Sequence, residues 1–166
     1  MKNIVEHFAF ILVFLFLEAA VLSNITFFPV LPDFLLILTL YAGLNQDCIA
    51  GETNGFVSGL LLDFLSASPL GLNGVIRTLI GFLSGIFSQT INISGFFIPC
   101  LIGGLATLIK ALLTGFTAFF FPNAVYTYDI ISPLLWQETL CNMVFTPILF
   151  QFFRHFSFFE PGERAL

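Results

Sequence analysis

The stretch GLLLDFLSASPLGLNG, from Gly59 to Gly74, places one acid inside an apolar run and follows it with a turn rich in Ser, Pro and Gly. Asp63 is its only charged residue, and Arg77 lies just beyond it. In lipid a carboxylate must find a partner or a wet cavity, because a lone charge at the centre of a spanning helix costs about 2.5 to 3.5 kcal/mol. We therefore predict that Asp63 and Arg77 form an intramembrane ion pair beneath the turn.

The composition of the whole chain indicates a lipid environment. Of 166 residues 58% are hydrophobic, 9% are charged and 24 are Phe, whereas soluble domains carry roughly 25% charged residues. A soluble fold of this length could not bury so much apolar surface. No polar linker or charge run divides the sequence, so we predict a single polytopic membrane domain over residues 1–166.

Six apolar segments separated by turn residues predict an all-α integral membrane protein with about six transmembrane helices in one bundle. The second and third segments are short for a hydrocarbon core of about 30 Å, so they either cross as short helices, which we favour, or form a re-entrant hairpin. Glu18 argues against a cleavable signal peptide, because an acid at the end of a signal's apolar core is unfavourable. The predicted helices cover 8–28, 34–44, 53–65, 72–90, 96–121 and 134–156.

The few cations outside the apolar segments predict the orientation of the chain. Lys2 lies near its start, and Arg154 and Arg164 lie near its end. Because Lys and Arg favour the cytoplasmic side, both termini are expected to be cytoplasmic, which agrees with an even number of crossings.

The longest predicted loop, 123–133, would then face outward together with the start of the sixth helix. It contains Tyr126, Tyr128 and Asp129, and Trp136 follows it. Tyr and Trp side chains commonly anchor at the membrane interface and are enriched where proteins bind each other. We therefore predict that these four residues make contacts with a partner protein.

Two similar motifs place glycines four residues apart on one helix face. Gly55 and Gly59 lie in the third predicted helix, and Gly81 and Gly85 lie in the fourth. Glycines at this spacing allow another backbone to approach closely. They either pack these two helices against each other, which we favour, or form a groove for a helix of a partner.

Two further ionisable residues lie within predicted helices. Glu18 belongs to the first helix and Lys110 to the fifth, so their side chains could meet if those helices touch. The four intramembrane charges, Glu18, Asp63, Arg77 and Lys110, could serve as internal braces or could bind a ligand, and the sequence leaves both possibilities open.

Sequence motifs for catalysis are absent. There is no GxSxG elbow, no HExxH and no phosphate-binding GxxxxGK[ST], and the two histidines, His7 and His155, lie near the chain ends. Three scattered cysteines form no CxxC pair. We therefore expect no enzymatic activity, no cofactor and no metal. A net charge of -5 without basic patches makes nucleic acid an unsuitable partner.

Several short sequence elements occur together in a fixed order across about Asp33 to Gly85: Pro32-Asp33-Phe34-Leu35-Leu36, Tyr41, the segment GFVSGLLLD with Gly55, Gly59 and Asp63, and Ser68-Pro69-Leu70-Gly71. This set resembles the signature of the rod shape-determining membrane protein D family, MreD. The family commonly has Arg or Lys in the loop after the position of Tyr41, where this chain has Asn45-Gln46-Asp47.

The resemblance implies a non-enzymatic inner-membrane component of the bacterial elongation machinery. Its partner would be an MreC-like bitopic protein, with the MreB filament and the cell-wall polymerase and transpeptidase as possible further partners. The family is also similar in fold to the substrate-binding subunits of energy-coupling-factor vitamin transporters. That similarity gives an alternative, a substrate-binding membrane subunit with a pocket near Asp63 and Arg77.

Overall fold

The protein is all-helical over the residues that the computed structural model describes, which are 8–18, 30–66, 68–88, 90–91, 93, 95–121 and 132–155. These residues contain six helices and no strand. The helices are α1 (Phe8–Glu18), α2 (Phe34–Asn45), α3 (Cys48–Leu65), α4 (Leu72–Ile86), α5 (Phe97–Phe120) and α6 (Pro133–Phe153).

Helix α2 occupies the centre of the bundle. Every residue from Leu35 to Leu44 is buried, so its side chains contact other helices rather than lipid. Its 12 residues extend only about 18 Å. The helix begins after Pro32 because the side chain of Asp33 accepts a hydrogen bond from the Leu36 N–H at 2.9 Å, which satisfies one of the free donors at a helix start.

Contacts at the two ends of α1 show which helix ends lie together. At one end of α1, Glu18 reaches the start of α2 through the Leu35 N–H. At its other end, the ring of Phe10 stacks on Phe152 near the end of α6. The start of α1 and the end of α6 therefore lie at the same end of the bundle. The number of membrane crossings stays a prediction.

Helices α3 and α4 form a hairpin that is joined by glycine contacts along its whole length. A Cβ atom added to Gly51 would meet the backbone of Gly81, and one added to Gly85 would lie 2.6 Å from the Cys48 nitrogen. Both contacts would be closer than ordinary van der Waals contact between non-bonded atoms. Only glycine therefore allows the two backbones to lie this close together.

Two helix boundaries differ from the predicted ranges by four or five residues. Helix α3 begins five residues earlier than predicted, because Asp47 accepts a hydrogen bond from the Ala50 N–H at 2.7 Å and starts the helix there. Helix α4 ends at Ile86 rather than at residue 90. The N–H groups of Phe87 and Ser88 donate to carbonyl groups three residues earlier, as in a 3₁₀-helix, instead of four. The second half of the predicted first helix, 19–28, lies outside the described residues.

Among the described helices, only α5 is both long and apolar enough to cross a membrane. It has 24 residues and a mean hydropathy of 1.9, whereas α1, α2 and α4 are apolar but shorter. Its outward face carries large apolar side chains, of which Phe97 and Phe119 are more than 80% exposed. The predicted number of helices agrees with the structure, while membrane crossing by all six stays a prediction.

Candidate functional site, a buried charge cluster

Five charged side chains from different helices meet inside the bundle, and we call them the charge cluster. Each is at least 86% buried. Lys110 is the fourteenth of the 24 residues of α5, so the cluster lies near the middle of that helix. The members are Glu18 at the end of α1, Asp33 at the start of α2, Arg77 on α4, Lys110 on α5 and Glu138 on α6.

Asp33 is the centre of this cluster. Its Oδ1 accepts a hydrogen bond from Arg77 Nη2 at 2.7 Å, and its Oδ2 accepts one from Lys110 Nζ, also at 2.7 Å. Its backbone N–H donates to the amide oxygen of Asn142 on α6 at 2.8 Å. One residue thus connects α2 to α4, α5 and α6.

Glu138 and Glu18 make different contacts within the cluster. Glu138 Oε1 accepts a hydrogen bond from Lys110 Nζ at 2.7 Å. Glu18 Oε1 lies 3.8 Å from Arg77 Nη2, too far for a hydrogen bond, while its Oε2 accepts from the Leu35 N–H at 3.2 Å. Glu18 therefore lies at the start of α2, where the helix dipole favours negative charge.

Neutral side chains of α5 and α6 form hydrogen bonds next to the cluster. Asn142 is fully buried, and its Nδ2 donates to Thr107 Oγ1 on α5 at 2.8 Å. The hydroxyl of Thr107 in turn donates to the Gly103 carbonyl at 2.8 Å. These bonds fix the orientation of the Asn142 amide, so that its oxygen faces Asp33.

The predicted ion pair between Asp63 and Arg77 is wrong, because Arg77 binds Asp33 instead. The carboxylate of Asp63 caps the start of α4: it accepts from the Gly71, Asn73 and Gly74 N–H groups at 2.9, 3.2 and 3.3 Å. The Asn73 amide and the Ser68 hydroxyl donate to it as well, at 2.8 and 3.0 Å. A helix start offers several free donors to one anion, and they take up both oxygens of this carboxylate.

Glu18 and Lys110, whose contact the sequence leaves open, both belong to the cluster. They are connected through Arg77 and Asp33. The sequence reasoning did not identify Asp33 and Glu138 as members. A count of every acid within or beside an apolar segment would have found both, since Glu138 lies in the sixth predicted helix and Asp33 directly precedes the second.

The predicted glycine faces lie inside the protein. A Cβ atom on Gly55 would meet the Arg77 backbone, and one on Gly59 would lie 2.6 Å from the Gly74 nitrogen. Gly81 and Gly85 face α3 in the same way. The structure thus has the first of the two predicted alternatives, packing of α3 against α4, and a partner helix cannot reach these glycines.

The predicted outer contacts are described only in part. Trp136, in α6, has half of its surface exposed, whereas Tyr126, Tyr128 and Asp129 lie outside the described residues. In the part of the chain that the structure describes, no group of three His, Cys, Asp or Glu side chains could hold a metal ion.

The comparison with known proteins identifies one family. A family model described as rod shape-determining protein MreD matches residues 1–156, which include all six helices and the complete signature. No curated protein and no solved structure matches the chain. The resemblance seen in the sequence is therefore confirmed, whereas the similarity in fold to transporter subunits stays a prediction.

Proposed function

The chain belongs to the MreD family of rod shape-determining proteins, and on this premise we propose that it holds an MreC-like bitopic protein within the elongation machinery of the bacterial inner membrane. The family is a membrane component of the cell-shape machinery and is not known as an enzyme. We propose a multi-pass protein with cytoplasmic termini, and further contacts with the MreB filament and with the cell-wall polymerase and transpeptidase. The family match over residues 1–156 carries this proposal.

The charge cluster supports a role as a rigid frame. Its buried ion pairs join α2, α4, α5 and α6, and the hydrogen bond from the Leu35 N–H to Glu18 adds α1. Removing Asp33, Arg77 or Lys110 would strand a charge inside the protein, which is costly, so other arrangements of these helices are disfavoured. A frame with one arrangement can present a constant outer surface to a partner.

The proposed partner surface is the loop 123–133 together with the start of α6. The glycine faces cannot serve, because α3 and α4 cover them. Trp136 is exposed beside the loop, and Tyr126 and Tyr128 are the aromatic residues that the loop itself supplies. Large aromatic side chains contribute much of the binding energy at protein interfaces.

Co-purification from native membranes tests this proposal. A tagged chain would be expressed in a rod-shaped bacterium that lacks its own copy, either unchanged or with Tyr126→Ala and Tyr128→Ala together. The matched control is Phe97→Ala, because Phe97 is an exposed aromatic residue at the opposite end of α5. We expect the unchanged chain and the control to recover an MreC-like protein and to restore rod shape, and the double variant to lose both.

If all three proteins unfold at similar temperatures, the double variant has lost binding of the MreC-like protein and not its fold. Recovery of the MreC-like protein by the double variant at the level of the control would refute the proposed surface. Recovery of ATPases and a tightly held vitamin, without any shape protein, would refute the scaffolding function and favour the transporter alternative.

A further inference from the structure

The charge cluster contains more acids than bases. Glu18, Asp33 and Glu138 supply three carboxyl groups, and Arg77 and Lys110 supply two cations. Were all five ionised, these members would carry a net charge of -1 inside the bundle. Burying an uncompensated charge costs far more than burying a neutral acid, and the usual result is that the group takes up a proton.

No other cation in the described part of the chain can compensate the cluster. Arg154 is the one remaining described Lys or Arg, and it donates to the Ile93 carbonyl at 3.3 Å. It follows Glu138 on α6 by 16 residues, which is about 24 Å along a helix. Asp47 and Asp63 are themselves acids and cap α3 and α4.

The contacts distinguish the three carboxyl groups. Asp33 has a cation at 2.7 Å on each of its oxygens, and Glu138 has one at 2.7 Å. Among the described residues Glu18 has no cation within hydrogen-bonding distance, since the nearest of them, Arg77 Nη2, is 3.8 Å away and already binds Asp33. A proton on Asp33 or Glu138 would remove an ion pair at 2.7 Å, whereas a proton on Glu18 weakens only the contact with Arg77 at 3.8 Å.

We propose that the charge cluster binds one proton and that Glu18 holds it. The groups that act on Glu18 are Asp33 and the Leu35 N–H of α2, Arg77 of α4 and Lys110 of α5. Glu138 of α6 is connected to them through Lys110. With the proton in place, the five side chains sum to zero charge.

Loss of the proton would change the position of Glu18. Arg77 is 99% buried, and its Nε and Nη1 have no hydrogen-bond partner. An ionised Glu18 is attracted to the Arg77 guanidinium, whose Nη2 lies 3.8 Å from Glu18 Oε1. A movement that brings a carboxylate oxygen within hydrogen-bonding distance of one of the free donors would shift the end of α1 relative to α4. The proton therefore controls how α1 sits against the rest of the bundle.

Infrared spectroscopy of the full chain in lipid nanodiscs tests the proposal. A protonated carboxylic acid has a carbonyl band at higher frequency than an ionised carboxylate. At neutral pH we expect a band equivalent to one buried acid per chain, which disappears in Glu18→Gln. It should persist in the matched control Glu52→Gln, because Glu52 lies on α3 outside the charge cluster and its loss leaves the excess of acids in the cluster unchanged. The band should also shift when the protein carries ¹³C-labelled glutamate, and it should disappear from the unchanged protein as the pH is raised.

Each result supports or overturns the proposal. Absence of the band from the unchanged protein, or no shift with labelled glutamate, would overturn it even if neither variant folds. A band that persists in Glu18→Gln would place the proton elsewhere. Thermal unfolding adds a separate measure. Glu18→Gln should unfold at the temperature of the unchanged protein. Glu138→Gln removes an ion pair of the cluster, and an equal destabilisation of Glu18→Gln would show that Glu18 is an ionised partner of Arg77.

Discussion

Replacing Gly55 by Ala should force α3 and α4 apart. An added Cβ atom would lie 2.6 Å from the carbonyl carbon of Arg77 and 2.9 Å from the Thr78 nitrogen. Both are backbone atoms, so no flexible side chain can move aside. Ordinary contact between non-bonded carbon atoms needs roughly 3.5 to 4.0 Å, so the helices must separate by about 1 Å.

The size of the effect follows from two opposing contributions. Alanine is favoured over glycine within a helix by about 1 kcal/mol. Overpacking a tight contact costs about 1 to 3 kcal/mol, and the upper end applies because the separation also loosens the neighbouring contact of Gly51 with Gly81. We expect a net destabilisation of about 2 kcal/mol, obtained by subtracting the gain in helix propensity from the cost of overpacking.

Gly115→Ala is the matched control, because Gly115 lies within α5 and a Cβ atom there meets nothing within 4 Å. It should gain about 1 kcal/mol from helix propensity alone, so the two variants should differ by about 3 kcal/mol. Equilibrium unfolding in mixed micelles, followed by circular dichroism, measures both. Equal changes in the free energy of unfolding for the two variants would refute the packing of α3 against α4 described above.

Three further predictions follow from the charges and the orientation of the chain. Asp33→Asn should destabilise the protein by about 3 to 5 kcal/mol in the same assay, because it weakens the pairing of two buried cations; a change below 1 kcal/mol would contradict the role of Asp33 as the centre of the cluster. Asp63→Ala should cost about 2 kcal/mol through loss of the cap on α4, and an unchanged unfolding midpoint would show that the helix start is satisfied without it. Reporter fusions should be active on the cytoplasmic side at Leu166 and on the outer side within 123–133, and a periplasmic reporter active at Leu166 would overturn the six-crossing topology.

Features that depend on local spacing could be predicted from the sequence. The glycines of α3 and α4 recur every four residues, and the turn between the helices is rich in Ser, Pro and Gly, so close packing of an antiparallel hairpin follows from helix geometry. The same reasoning gives the number of helices, because each apolar segment ends at recognisable breaker residues.

Partners that are distant in the sequence could not be predicted in this way. Asp63 and Arg77 were paired because they are close along the chain, yet Arg77 binds Asp33, which is 44 residues away, and Lys110 binds the same acid from 77 residues away. These pairings depend on which helices are neighbours, and one sequence does not specify that. The complete burial of α2 was missed for the same reason, because an apolar segment facing lipid and one facing protein have the same composition.

The central position of α2 constrains the order in which the protein can be assembled in the membrane. A helix of 12 residues that begins with an acid is a poor candidate for independent insertion, and both cations that neutralise Asp33 belong to helices made later. During synthesis the charge of Asp33 is compensated only after α4 and then α5 have been made. We therefore expect the helices to take up their final arrangement together and late, with α2 reaching its central position only after α4 and α5 have been inserted.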